Sequence, residues 1–183
     1  MANPLALDAC VLLNLIASDR ASEIFLAQGR RILVGERAAK ESFYLRSTND
    51  PSERLPVDLS TLIDATVLEA VSIEGESETE MFIDLAAELD DGEAELLAVA
   101  LIRRYTVATD DRKARRVLSS RCPGKVELLS TPEMVHRWVE QCSVENDEAR
   151  MTLENIRRKA SYYPSVTDPC SAWWNKILPI EAR

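Results

Sequence analysis

Between residue 5 and about residue 130, short apolar segments alternate with stretches of helical periodicity, and this alternation constrains the fold more than any other feature. Residues 5–9, 31–34, 67–73, 105–109 and 126–129 read as strands, with 67–73 at an edge. Residues 11–17, 21–28, 36–46, 58–65, 81–89, 93–104 and 112–120 read as helices, and Gly29 is a C-terminal stop for the second of them. The spacing predicts a loop over 47–56 and an acidic turn over 74–80. Strands that are apolar on both faces, separated by helices, imply a parallel sheet covered by helices. In such sheets the reactive groups collect at the carboxyl ends of the strands. No Gly-x-Gly-x-x-Gly or Walker loop is present, so a nucleotide cofactor lacks its signature.

The acids at those strand ends are the candidate site. Asp8 interrupts a segment that is otherwise apolar from Leu5 to Ile16, and a lone buried carboxylate costs several kcal/mol without a partner. A helix N-cap is the alternative reading. Asp110 and Asp111 follow the strand that ends at Thr109, and two adjacent acids exceed what capping the next helix requires. Glu93 tops an apolar helical face made by Leu96, Leu97, Ala100 and Leu101, whereas Glu95 projects toward Ala98, Val99 and Arg103. A first-turn acid favoured by the helix dipole is the alternative for Glu93. Glu41 shares a face with Ala38, Tyr44 and Leu45 and reads equally well as a solvated helix acid. Several carboxylates crowded at strand ends repel one another unless cations neutralise them, and Mg²⁺ or Mn²⁺ suits oxygen ligands. Two such ions would clamp both oxygens of an in-line phosphoryl displacement.

Three segments then carry a family resemblance: Leu-Ala-Leu-Asp-Ala-Cys-Val-Leu-Leu-Asn-Leu-Ile at 5–16, Leu-Asp-Asp-Gly-Glu-Ala-Glu-Leu-Leu-Ala-Val-Ala at 89–100, and Val-Ala-Thr-Asp-Asp-Arg-Lys-Ala-Arg at 107–115. Together they resemble PIN-domain proteins, and the middle one is similar to the Gly-Glu-Ala-Glu branch of that family. The resemblance implies a three-layer α/β/α sandwich around a parallel sheet, and Mg²⁺- or Mn²⁺-dependent ribonuclease activity. It places the family's acids on Asp8, Glu41, Glu93 and Asp111 or Asp110, with Thr109 as the hydroxyl before the last acid and Asn14 as a further polar group. Many members are VapC-like toxins blocked by a small antitoxin, which makes RNA, an antitoxin and a second copy of the chain the expected partners. The third acid departs from the family's usual Asp by one carbon. A non-catalytic PIN-like module is the alternative. A phosphatase-type hydrolase is disfavoured, because position 10 is Cys where that chemistry wants an acid or base.

The resemblance stops near residue 130, so a nuclease domain over 1–130 and a helical extension over 131–183 are expected. Helices are predicted at 132–142 and 147–160, followed by Tyr162-Tyr163 and Trp173-Trp174. These aromatics beside Arg157, Arg158 and Lys159 read either as tail packing or as a surface for RNA or a partner. His136 reads as a bystander. The net charge of −9 argues at first against nucleic acid, but it divides unevenly. Residues 1–111 hold 9 basic and 22 acidic side chains (−13), whereas 112–183 hold 13 and 9 (+4). The basic part opens with Arg112, Lys113, Arg115 and Arg116, directly after the last proposed ligand, and these are the expected RNA contacts. The four cysteines lack Cys-x-x-Cys spacing, which disfavours zinc and suits reduced thiols in the cytoplasm. Cys10 reads as a small core residue. No segment has the length of a membrane span.

Overall fold

Leu-Ala-Leu at the start of the chain is fully buried on both faces, as a central parallel strand requires. The computed structural model describes residues 2–40, 43–50, 52–65, 67–124 and 126–179. Their elements run in the order β1 (Leu5–Leu7), α1 (Ala9–Ala17), α2 (Ala21–Ala27), β2 (Ile32–Gly35), α3 (Glu36–Lys40), β3 (Phe43–Arg46), β4 (Arg54–Val57), α4 (Ser60–Asp64) and β5 (Glu69–Val71). There follow α5 (Gly75–Ala86), α6 (Asp91–Arg103), β6 (Thr106–Ala108), α7 (Arg112–Arg121), β7 (Leu128–Leu129), α8 (Thr131–Gln141), α9 (Asn146–Asn155), a π-helical turn (Ile156–Ala160) and α10 (Ser171–Ile177). The five-stranded sheet has the order β5-β2-β1-β6-β7 with every pair parallel. Helices flank it, in keeping with the α/β/α class expected. The chain steps from β1 to β2 in one direction and later fills β6 on the other side, so the switch point lies between β1 and β6.

Two compact units make up the chain. The first comprises Met1–Leu12, Gly29–Glu41 and Asp58–Leu129; the second comprises Leu13–Gln28, Ser42–Val57 and Ser130–Arg183. The core of the first joins Ala6 and Val107 of the sheet to Leu97 and Leu101 of α6 and to Val117 and Leu118 of α7. α6 starts where Asp90 accepts a hydrogen bond from the Glu93 amide at 2.8 Å, and it ends at Arg104 in a left-handed conformation (φ 57°). In the second unit, α2 and α8 pack together, with Ile24, Phe25, Met134, Val135 and Trp138 buried. The Gln28 amide ties α2 to the Met134 carbonyl at 3.2 Å. A capping box between Ser130 and Glu133 opens α8. Trp174 is buried against a half-buried Tyr162, and His136 packs edge-on to a half-buried Trp173, so Trp138 and Trp174 are the tail aromatics that form this unit's interior. Among the described residues, no helix is long and apolar enough to cross a membrane.

Three local expectations are corrected. The helix expected over 36–46 ends at Lys40, and Phe43–Arg46 instead pairs antiparallel with Arg54–Val57. Phe43 is buried and Tyr44 exposed, a strand alternation, and Pro56 sits in a two-stranded ribbon where an unpaired edge tolerates its missing N–H. The acidic stretch 74–80 is largely the first turns of α5 rather than a turn. Glu78 reaches back to accept from the Glu74 amide at 2.7 Å and forms a bidentate ion pair with Arg103, which lowers its pKa. Finally, α10 lies in a region for which no helix was expected. Leu97→Ala, in the core of the first unit, is expected to lower unfolding free energy by about 2–5 kcal/mol in urea denaturation. Ile83→Ala, on the exposed side of α5, is expected to stay within about 0.5 kcal/mol.

Candidate functional site

Register brings the site's first two members together. Leu7 of β1 pairs with Ala108 of β6, so Asp8 and Thr109 leave the sheet side by side at the switch point. The Asp8 amide donates to the Ala108 carbonyl at 3.0 Å, and the Asp8 carbonyl accepts the first bond of α1 from Leu12 at 2.9 Å. Asp8 thus stands where an N-cap stands, but its buried carboxylate is chiefly engaged elsewhere. Oδ2 accepts from the Thr109 hydroxyl at 2.8 Å and from the Cys10 thiol at 2.9 Å. Burial raises the Asp8 pKa; the bonds from Cys10, Thr109 and the Ala9 amide oppose that rise, and the Asp111 charge adds to it. The Cys10 thiol is driven far up, first by burial and then by the Asp8 charge, so it remains a protonated donor.

Thr109 also links Asp8 to the next acid. Its fully buried hydroxyl accepts from the Asp111 amide at 3.1 Å while donating to Asp8. Asp111 caps α7, with Oδ1 accepting from the Ala114 amide at 2.7 Å, which leaves its second oxygen outside that bond. Glu93 packs with Asp8, Thr109, Leu96, Leu97 and Ala114 around a space too small to admit a water. Its pKa is pushed up to about 7, first by burial and then by the charges of Asp8, Asp90 and Asp111, with Lys113 opposing. Asp8, Glu93 and Asp111 therefore act on one another as a cluster of like charges.

The other expected residues are placed differently. Glu41 lies outside the described residues. Asp110 acts on Cys10, through its charge and its backbone amide. Asn14 belongs to the second unit, where its amide donates to the Thr131 hydroxyl at 3.1 Å. Arg112, Lys113 and Arg116 are exposed on α7. Arg115 is engaged inward: its Nη1 donates to the carbonyls of Thr109 at 2.8 Å and Leu129 at 3.2 Å, staples across the ends of β6 and β7. Glu95 is buried on the other side of α6. It accepts from the Arg37 amide at 3.1 Å, beneath Gly35, where a Cβ would come within 3.2 Å of its Oε2. Cys10 is the site residue that sequence reasoning missed. Its position two residues after Asp8, at the opening of α1, was the available signal.

A family model described as a PIN domain matches residues 5–165. The chain belongs to the PIN-domain family. The matched span runs beyond residue 130, where the recognisable sequence pattern ended, and takes in α8 and α9. Neither the comparison with curated proteins nor that with solved structures gave a match.

PIN domains have a nuclease-type fold and typically use divalent metals, so the donor set of this one bears testing. Among the described residues, no three Asp, Glu, His or Cys side chains stand close enough to hold an ion as they are placed. The chemistry nevertheless fits. The cluster is all carboxylate oxygen, as Mg²⁺ and Mn²⁺ prefer, and the like charges that raise the Glu93 pKa are the repulsion a cation relieves. A ¹³C titration of the metal-free protein is expected to show the Glu93 carboxyl ionising near pH 7 rather than 4.5, and to move back toward 4.5 in Asp8→Asn. A carboxyl with a raised folded-state pKa binds more protons folded than unfolded, so its contribution to stability is lost as pH rises. Metal-free wild type is therefore expected to lose stability relative to Glu93→Gln between about pH 4.5 and 7 in parallel thermal melts.

Proposed function

We propose that this PIN domain is a Mg²⁺- or Mn²⁺-dependent endoribonuclease. The observation that carries the reading is the buried Asp8 carboxylate at the strand switch point, facing Glu93 and Asp111 in one like-charged cluster. Asp8, Glu93 and Asp111 would hold the metal, with Glu41 joining them as the family resemblance implies. The grouping favours Asp111 over Asp110, since it is Asp111 that acts on both Asp8 and Glu93. When bound, the ion supplies Lewis-acid polarisation of the phosphoryl oxygens and activation of water.

The chain's own residues supply the rest. Thr109 and Cys10 donate to the same oxygen of Asp8, fixing its rotamer. With its pKa near neutrality, Glu93 stays protonated in the metal-free domain at mildly acidic pH and gives up that proton to cation binding. Arg112, Lys113 and Arg116, exposed on the helix that Asp111 caps, would meet the phosphate backbone. Arg115, expected among these contacts, is instead a positioning residue that holds the ends of β6 and β7.

The Gly-Glu-Ala-Glu segment supports a VapC-like toxin held in check by a small antitoxin, and the four free cysteines suit a cytoplasmic protein. The purified protein is expected to cleave single-stranded RNA with Mn²⁺ or Mg²⁺. EDTA and Asp8→Asn should abolish cleavage, and Thr109→Val should reduce it about 10- to 100-fold, as loss of a partner behind a ligand does. Cleavage that persists in chelator, or in Asp8→Asn, would contradict the proposal. RNA bound but left intact under every metal condition would make the domain a non-catalytic binding module.

A further inference from the structure

The second unit contains a cavity of about 350 Å³ whose chemistry the acid cluster does not explain. Three arginines line it: Arg46 at the end of β3, and Arg157 and Arg158 in the π-helical turn. The hydroxyls of Ser47 and Ser161 and the ring of Tyr163 complete its polar wall, and no carboxylate is among the lining side chains. Among the described residues, none of the three arginines makes an ion pair. Lys159 beside them does, with Asp19. Three uncompensated guanidinium groups around one concavity repel one another, and an anion would relieve that repulsion.

The walls are built rather than incidental. Arg158 Nη2 donates to the Thr48 carbonyl at 3.2 Å, tying the π-helical turn to the hairpin. Ser47 is buried, and its hydroxyl accepts from the Asn49 and Asp50 amides at 3.3 and 3.4 Å, fixing the start of the hairpin turn. Ser161 ends the π-helical turn in a left-handed conformation (φ 58°), which closes the helix beside its two arginines. π-helical insertions recur at functional sites.

We propose that this cavity binds a phosphodiester of single-stranded RNA, with the base stacked on Tyr163. Size and exposure select the ligand. The volume is roughly ten times the ~30 Å³ share of one water, so a bare phosphate leaves most of it unfilled while a nucleotide unit does not. Tyr163 is 59 % exposed, which leaves a ring face open beside the arginines, and base stacking on an exposed aromatic next to backbone-neutralising cations is how single strands are held. The proposal deepens the ribonuclease reading by adding a strand-binding site away from the acids, and it rests on that reading for the choice of RNA.

The test is fluorescence anisotropy of a labelled single-stranded RNA with the full chain carrying Asp8→Asn, in EDTA, so that the strand stays intact. Adding Arg46→Gln and Arg157→Gln is expected to weaken binding about tenfold or more. It should also reduce the slope of log K against log salt by about 0.7, the share of the one phosphate the cavity holds. Tyr163→Ala should weaken binding at unchanged slope. Arg158 is left in place because it holds the hairpin, and unchanged melting temperatures show that the variants fold. Unaltered RNA affinity and slope in the arginine variant would overturn the proposal. So would a variant that loses inorganic phosphate but keeps the strand, which would assign the cavity to a free anion. Because binding is read in chelator, its outcome is independent of whether wild type cleaves RNA.

Discussion

A carboxylate taken out of water at the meeting point of two central strands organises the first unit of this protein. Ionised and unpartnered, Asp8 would cost several kcal/mol there. Two donors to one oxygen, from Thr109 and Cys10, offset part of that cost, and both exist because of how the backbone is arranged. Parallel pairing of β1 with β6 delivers Thr109 beside Asp8, and the turn from β1 into α1 delivers Cys10. The same Thr109 hydroxyl accepts from the Asp111 amide, which orients the cap of α7. Arg115 then locks the carbonyls of Thr109 and Leu129 from below. One buried charge therefore couples strand register, helix capping and the positions of two further acids.

α6 shows how a helix can present two acids to two fates. Glu93 and Glu95 are two residues apart, about 200° around the helix axis at 3.6 residues per turn. Glu93 joins Asp8 in one tight pocket, where burial first and then the surrounding charges hold its proton to about pH 7. Glu95 is buried too, but the Arg37 amide, the Arg37 guanidinium at 3.8 Å and a close fit against Gly35 occupy it. Burial alone does not mark the site; burial without a cation partner does.

That distinction was legible in the sequence, because the 3.6-residue period placed Glu93 over Leu96, Leu97 and Ala100 and set Glu95 apart. The parallel sheet and Asp8 were legible for a similar reason: apolar runs bounded by acids leave little other arrangement. Other features depended on tertiary partners that local pattern does not carry. Phe43 and Tyr44 fit a helical face as well as a strand, and the hairpin with Arg54–Val57 decided between them. The acids at 74–80 read as a turn until Arg103, 25 residues further along the chain, gave Glu78 its partner. Arg115 looked like its neighbours on α7, yet the phase of the helix turns it inward while Arg112, Lys113 and Arg116 stay exposed.

The uneven charge acquires a physical meaning in these terms. The acidic part of the chain concentrates carboxylates whose repulsion a divalent ion would relieve, and Arg157 and Arg158 of the basic part join Arg46 around a cavity where a phosphate would relieve theirs. On the proposed reading, a metal and a phosphodiester supply the compensating charges. Anomalous diffraction from crystals of the wild-type protein grown with Mn²⁺ tests this most directly. The account predicts a manganese peak within ligand distance of Asp8 and at least one of Glu93 and Asp111, absent from Asp8→Asn crystals. A peak elsewhere, or none at saturating Mn²⁺, would contradict it.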